Sequence, residues 1–158
     1  MHVNIDKPDV RFEELNGSHL KEMAELYKNA FAGDPWNDDW SDPVQLMEYV
    51  KEISSAYNAL NFGLFIDGEL AAMSVGMIRH WWEGTNYNVE EFCVRPDLQG
   101  QGIGSNFMAL ISENVRERGL SGIFLQTDND KPSYGFYHKN GFKDLESHVS
   151  LYKRVKED

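Results

Sequence analysis

The run Val89-Glu90-Glu91-Phe92-Cys93-Val94-Arg95-Pro96-Asp97-Leu98-Gln99-Gly100-Gln101-Gly102-Ile103-Gly104-Ser105 reads as a strand, a sharp turn and a glycine-rich entry into a helix. The first turn of any helix has four N–H groups without intrahelical partners, and the macrodipole makes that end partly positive. Phosphate is held there without needing a lysine. Gly100, Gly102 and Gly104 put no Cβ in the way and allow the backbone angles of a tight cradle. Beyond them Ile103, Phe107, Leu110, Ile111 and Val115 recur at helical spacing, and Gly119 is a natural stop after Arg116 and Arg118. Two other phosphate loops do not fit. No Gly-Lys-Ser/Thr follows, which excludes a P-loop. Counted from Gly100, the last position of a Gly-x-Gly-x-x-Gly fingerprint falls on Ser105, and the loop lies past the middle of the chain rather than in its first βα unit.

Working outward, 158 residues suit one domain, residues 1–158, with a sizeable core. No apolar run reaches the ~18 residues of a membrane span. The opening Met1-His2-Val3-Asn4-Ile5-Asp6 has no apolar signal region. The single cysteine, Cys93, allows no internal disulfide, fits a reducing cytoplasm, and sits in an apolar strand where burial is the simpler expectation. No second cysteine or HExxH pattern offers a metal site. Net charge is −11, from 26 acidic and 15 basic residues, which argues against nucleic acid as a partner and for a cationic one.

A first strand is expected over Val10 to Glu14. Ser18 then caps a helix with Leu20, Met23, Leu26, Tyr27 and Ala30 on one face. An acidic, aromatic loop, Gly33-Asp34-Pro35-Trp36-Asn37-Asp38-Asp39-Trp40, leads to a second helix begun by Asp42-Pro43, with Val44, Met47, Val50 and Ile53 as its buried stripe. Asn61 to Ile66 and Glu69 to Ile78 form a hairpin about Asp67-Gly68. Strands follow over Tyr87 to Val94 and Ile123 to Thr127, then a short helix from about Pro132 to Asn140. Phe142 to Val155 supplies one or two last strands. The fold class is α/β, a mixed central sheet with helices on both faces.

Gln99 to Gly104 matches Gln/Arg-x-x-Gly-x-Gly/Ala, and Lys131-Pro132-Ser133-Tyr134-Gly135-Phe136-Tyr137-His138-Lys139-Asn140-Gly141-Phe142 is close to Asn-x-x-x-x-x-Phe-Tyr-x-x-x-Gly-Phe. With these two motifs in this order, nearly the whole chain resembles the GNAT superfamily of acyl-CoA N-acyltransferases. The segment at Glu90 is similar to polyamine N-acetyltransferases, and Trp36-Asn37-Asp38 to aminoglycoside 6′-type members. The resemblance implies the GNAT fold and an acetyl-CoA-dependent N-acetyltransferase without a metal. It implies that Phe92, Cys93 and Val94 pair with pantetheine and that one of their N–H groups polarises the thioester carbonyl, a contribution of roughly 3 kcal/mol. The pyrophosphate would rest on Gln99, Gly100, Gln101, Gly102, Ile103, Gly104 and Ser105, with Asn129, Asp130 and Tyr137 also against the coenzyme. Tyr137 takes the general-acid position. The match is imperfect: Gln99 and Gln101 stand where arginine is common, and Asp130 replaces the usual asparagine, where it would still cap the following helix.

An alkylammonium near pKa ~10.4 is protonated at neutral pH, so a base is useful. Alternation sets Glu90 with Asn88 and Phe92 on one face and Glu91 on the other. By resemblance Glu90 is favoured as the base, with Glu91 in reserve because a bulge would invert the assignment. For the acceptor, Trp36, Asp38, Asp39 and Trp40, then Trp81 and Trp82, offer aromatic faces beside carboxylates. A polyamine or aminoglycoside-like amine fits such a site. A protein N-terminus or lysine, and a non-catalytic acetyl-CoA-binding module, remain alternatives. The resemblance also leaves a homodimer open. His2, His19, His138 and His148 suggest no triad and read as surface residues.

Overall fold

The computed structural model describes residues 9–158. The expectations for the opening residues, His2 included, lie outside it. The described chain divides into two compact units, one ending at Thr127 and one spanning Asp128–Asp158.

The first unit holds a five-stranded sheet in the order β1-β2-β3-β4-β5: β1 (Val10–Glu14), β2 (Ala59–Ile66), β3 (Glu69–Trp81), β4 (Gly84–Val94) and β5 (Gly122–Phe124). The first four are antiparallel neighbours, and β5 runs parallel to β4. The expected hairpin turns at Asp67 and Gly68, both at positive φ (52° and 81°), the twist that matches a two-residue hairpin. Strands β2 and β3 read as nearly continuous apolar runs because both faces of the sheet are covered. On one face lie α1 (Leu20–Ala32) and α2 (Pro43–Ser54), whose Met23, Leu26, Tyr27, Val50 and Ile53 pack on Phe65, Met73, Val75 and Cys93. On the other face α3 (Ile103–Glu117) lays Ile103, Phe107, Ile111 and Val115 over Phe62, Leu64, Tyr87 and Val89.

Several expectations shift. Asn16, not Ser18, caps the first helical segment. Its side chain accepts from the Ser18 N–H at the start of a 3₁₀ turn, Gly17–His19, that runs into α1. In α2 the buried stripe is Leu46, Val50 and Ile53, and Val44 is 70% exposed. At about 100° per residue, Val44 lies on the far side of the helix from Leu46. In α3 Met108 is buried and Leu110 is exposed, the two lying at opposite edges of the stripe. α3 closes as expected: Gly119 N–H donates to the Arg116 carbonyl and Leu120 N–H to that of Val115, the paired bonds of a Schellman cap.

The second unit contains α4 (Pro132–Lys139), and no strand forms over residues 142–158. Alternating apolar residues make a strand only against a partner ladder, and this unit has no second strand to offer. The fifth strand is likewise shorter than expected, three residues rather than Ile123 to Thr127.

Candidate active site

The centre of β4 departs from simple alternation. Val75 of β3 pairs with Glu91, and the next residue, Gly76, pairs with Val89, so Glu90 is an extra residue in the strand. Before this bulge Tyr87 and Val89 face α3; after it Phe92 does, stacking on Phe107 at 5.5 Å. Glu91 and Cys93 therefore face α1 and α2. The expectation that Glu90 shares a face with Phe92, opposite Glu91, is overturned. The inserted residue shifts the parity, and both acids stand on the face away from Phe92, close enough to perturb one another.

Gly76 makes the bulge sterically feasible. A Cβ on it would lie 2.0 Å from the Asn88 carbonyl oxygen. The Gly76 N–H donates instead to Asn61 Oδ1 at 3.1 Å, while Asn61 Nδ2 donates to the Ser54 carbonyl at 2.8 Å. One buried amide thus ties the bulge to the end of α2.

Glu91 is the hub of the acidic cluster. The Tyr49 hydroxyl of α2 donates to Glu91 Oε1 at 2.6 Å, and the Tyr27 hydroxyl of α1 approaches the same oxygen at 3.4 Å. Burial raises the Glu91 carboxyl above its usual range, the two phenol hydrogen bonds oppose that rise, and the charges of Glu90 and Asp38 add to it. Both phenols are themselves pushed up by burial and by the Glu91 charge. The Cys93 thiol is raised by burial and by Glu91, so it stays protonated and is no nucleophile. Sequence reading placed Tyr27 only in the core and passed over Tyr49. The available signal was a tyrosine within each apolar helix face, whose hydroxyl needs a partner once buried.

The acceptor candidates fall into two groups. Trp40 stacks on Tyr49 (5.3 Å) and meets Tyr27 edge-on (5.2 Å), and Trp36 meets Phe31 (5.4 Å). The Trp40 ring packs between the first two helices against both phenols that hold Glu91, and Asp38 is close enough to act on the Glu91 charge. The buried Trp40 Nε1–H has no hydrogen-bond partner among the described residues. Asp39 is exposed and turned to Ser41, whose N–H it accepts at 3.0 Å. Trp81 and Trp82 are a different matter. They are exposed at the β3–β4 turn, where Trp81 pairs with Gly84. At ~3.3 Å per residue that turn lies roughly 20 Å along β4 from Glu91. The expectation that all these tryptophans flank one acceptor is corrected accordingly.

After Val94 the chain makes a 3₁₀ turn, Pro96–Leu98, and reaches the glycine loop. Gly100 and Gly102 both have φ +79°, a left-handed conformation that glycine alone adopts cheaply. A Cβ on either would meet nothing within 4 Å, so the space above them is open. Gly102 is the N-cap of α3 and no side chain caps it, in contrast to Asp42, whose carboxylate accepts from Val44 and Gln45 N–H on α2. Ile103, Gly104 and Ser105 form the first turn, with Ile103 anchored in the core. The Gln99 amide folds back to the Val94 carbonyl (3.1 Å), and Gln101 donates to the Asp97 carbonyl (3.4 Å). Arg95, the nearest cation in sequence, is engaged by Asp97 (2.7 Å) and Glu69 (3.2 Å). The loop therefore presents backbone rather than side-chain charge.

In the second unit Asn129 and Asp130 are exposed, and the N-cap of α4 is Lys131, with no side-chain cap. Asp130 does not cap that helix as expected, because it stands one residue too early. Tyr137 is buried, its ring between those of Phe136 (5.3 Å) and Phe142 (5.4 Å). His138 is exposed but partnered: it and Tyr134 share the Asp144 carboxylate at 2.7 and 2.5 Å. No group of side chains suited to a metal ion occurs among the described residues. Nor, among them, is any helix long and apolar enough to cross a membrane.

Comparison with known proteins assigns the family. The model of the Acetyltransferase (GNAT) family matches residues 20–142, and the chain belongs to that family. The thialysine N-epsilon-acetyltransferase of Bos taurus is 34% identical over 65 residues, 40% of this chain and 38% of that protein. The protein of the same name from Sus scrofa matches to the same extent. The matched stretch spans less than two fifths of the length of these curated relatives. Among solved structures, a possible acetyltransferase from Clostridium difficile 630 superposes with a TM-score of 0.77 at 12% identity, over 93% of this chain and 99% of that one. An aminoglycoside acetyltransferase from an uncultured soil metagenomic sample, in complex with sisomicin, gives 0.71 at 17% identity, over 94% and 97%. At these identities the likeness establishes the GNAT fold.

Proposed function

We propose that this protein is an acetyl-CoA-dependent N-acetyltransferase acting on a small cationic amine. The observation that carries the reading is Glu91, a half-buried carboxylate gripped by two phenols amid the charges of Glu90 and Asp38. A base works best when its pKa lies near the working pH, and burial moves Glu91 in that direction. We therefore assign the base to Glu91 and leave Glu90 as a second anionic contact for the ammonium. Trp36, Asp38 and Trp40 border the same cluster and belong to the acceptor end.

The glycine loop fits a diphosphate. Its two left-handed glycines, the open space above them and the uncapped start of α3 make a cradle of backbone N–H groups. Gln99 through Ser105 would hold the pyrophosphate, and Phe92, Cys93 and Val94 would line the pantetheine. Acetyl-CoA supplies the acetyl group as a thioester. The chain's own residues do the rest. Glu91 receives a proton from the acceptor ammonium at a carboxylate oxygen, Asp38 and Glu90 favour the cation, and Tyr137 holds a proton on its hydroxyl as general acid. The named activities of the relatives, on thialysine and on aminoglycosides, agree with a small amine acceptor.

The test is release of free thiol from acetyl-CoA with polyamines, aminoglycosides, diamino acids and basic peptides in parallel. Turnover with one small cationic class is the expected result, falling at least tenfold in Tyr137→Phe. Turnover with peptides alone would move the acceptor to protein, and silence with every amine would leave a binding module.

A further inference from the structure

We propose that Tyr49, backed by Tyr27, is a positioning residue: its hydroxyl holds Oε1 of Glu91 and so presents Oε2 as the oxygen that meets the acceptor ammonium. The inference rests on the reading of Glu91 as base and adds what makes that carboxylate directional. Two hydroxyls from two helices converge on one carboxylate oxygen, Tyr49 at 2.6 Å and Tyr27 at 3.4 Å. Both phenol hydrogen bonds fall on Oε1 and neither engages Oε2. The Tyr49 ring cannot swing away without breaking its packing: Trp40 stacks on it at 5.3 Å and Tyr27 lies 5.4 Å off. Tyr27 is fixed in turn by Phe31 at 4.7 Å.

The surroundings explain why such a clamp is useful. Facing Glu91 are Tyr27 from α1, Asp38 from the loop after it, Tyr49 from α2, and Glu90 and Cys93 from β4 itself. The phenols and the thiol are pushed upward and remain protonated at neutral pH, so both tyrosines act as donors and not as bases. That leaves two like charges, Glu90 and Asp38, which together with burial favour the protonated acid at Glu91. The hydrogen bonds from Tyr49 and Tyr27 oppose them and favour the ionised form that can accept a proton. Hydrogen bonds to a charged group are the strong class, and loss of one is expected to cost about tenfold in the function that needs the charge.

Tyr49→Phe removes one oxygen and keeps the ring, and Tyr27→Phe does the same at the longer contact. Two readouts separate the inference from the reading beneath it. The first is an NMR titration of the ¹³C-labelled glutamate carboxyls, with Glu91 assigned by its loss in Glu91→Gln, and it needs no turnover. The Glu91 midpoint is expected to move to higher pH in Tyr49→Phe and by less in Tyr27→Phe. The second is kcat/KM against pH for the active amine. Its acid limb is expected to move the same way in Tyr49→Phe, with about a tenfold loss at neutral pH and little change in Tm. An unmoved Glu91 midpoint would overturn the proposal, as would a loss uniform across pH with a fallen Tm, the mark of packing alone. Absence of acetylation in the wild type would sink the functional reading, while the titration would still decide the role of Tyr49.

Discussion

Burial raises the Glu91 carboxyl, its phenol partners lower it, and Glu90 and Asp38 raise it again. The sign of the consequence for folding follows from linkage. An acid whose folded-state pKa is raised contributes stability that is fully present below its unfolded value, ~4.3 for glutamate, and is lost as pH rises through the folded value. Glu91→Gln removes that dependence. The variant is expected to gain on the wild type in Tm as pH rises from about 5 to 8, by ~2–4 °C for each kcal/mol relieved. Scanning calorimetry across that range checks it. A difference independent of pH would mean that Glu91 is not held above its ordinary value. On the expected result, activity and stability pull in opposite directions at one residue, as they commonly do where a charge is buried for chemistry. At this scale the sequence was half legible. The Glu90–Glu91 pair stood out as acids in an apolar strand, but their partners Tyr49 and Tyr27 lie 42 and 64 residues away, and no local pattern reaches that far.

The bulge in β4 is the element on which the site depends, and its determinants lie on other strands. Gly76 leaves room for the Asn88 carbonyl, and Asn61 takes the Gly76 N–H that the irregular ladder turns aside. Gly76→Ala would place a carbon 2.0 Å from that oxygen, a contact neither backbone can absorb in place. The expected result is a cost of about 2 kcal/mol or more in chemical denaturation, together with acetyl transfer reduced at least tenfold as Glu91 is displaced. Wild-type activity and stability in this variant would mean that the bulge does not position the acid. Alternation along β4 set Glu91 opposite Phe92 correctly but misplaced Glu90, because the extra residue is set by cross-strand sterics that a single strand does not display. The glycine loop, by contrast, was legible: strand, turn and helix entry are encoded within Val89 to Ser105, and the two left-handed glycines fall inside the motif. The start of α2 was legible for the same reason, through Asp42-Pro43, with proline at the first helical position.

For the whole molecule, the fold follows from the order of elements and the period of their apolar residues, both of which sequence reading recovers for the first unit. The residues beyond Phe142 were read as strands from alternation alone, and the structure gives them no ladder. The acidic surface, at net charge −11, favours a cationic acceptor without choosing one. What remains decisive is whether Glu91 moves a proton during acetyl transfer. The most direct measurement is the rate of formation of an amine heavier by one acetyl group, followed by mass spectrometry from acetyl-CoA and the active amine, for wild type and Glu91→Gln at neutral pH. The expected result is acetylated product in the wild type and a rate lowered by about a hundredfold in the variant, the range of a lost general base. Equal rates in the two proteins, or no acetylated amine from either, would contradict it.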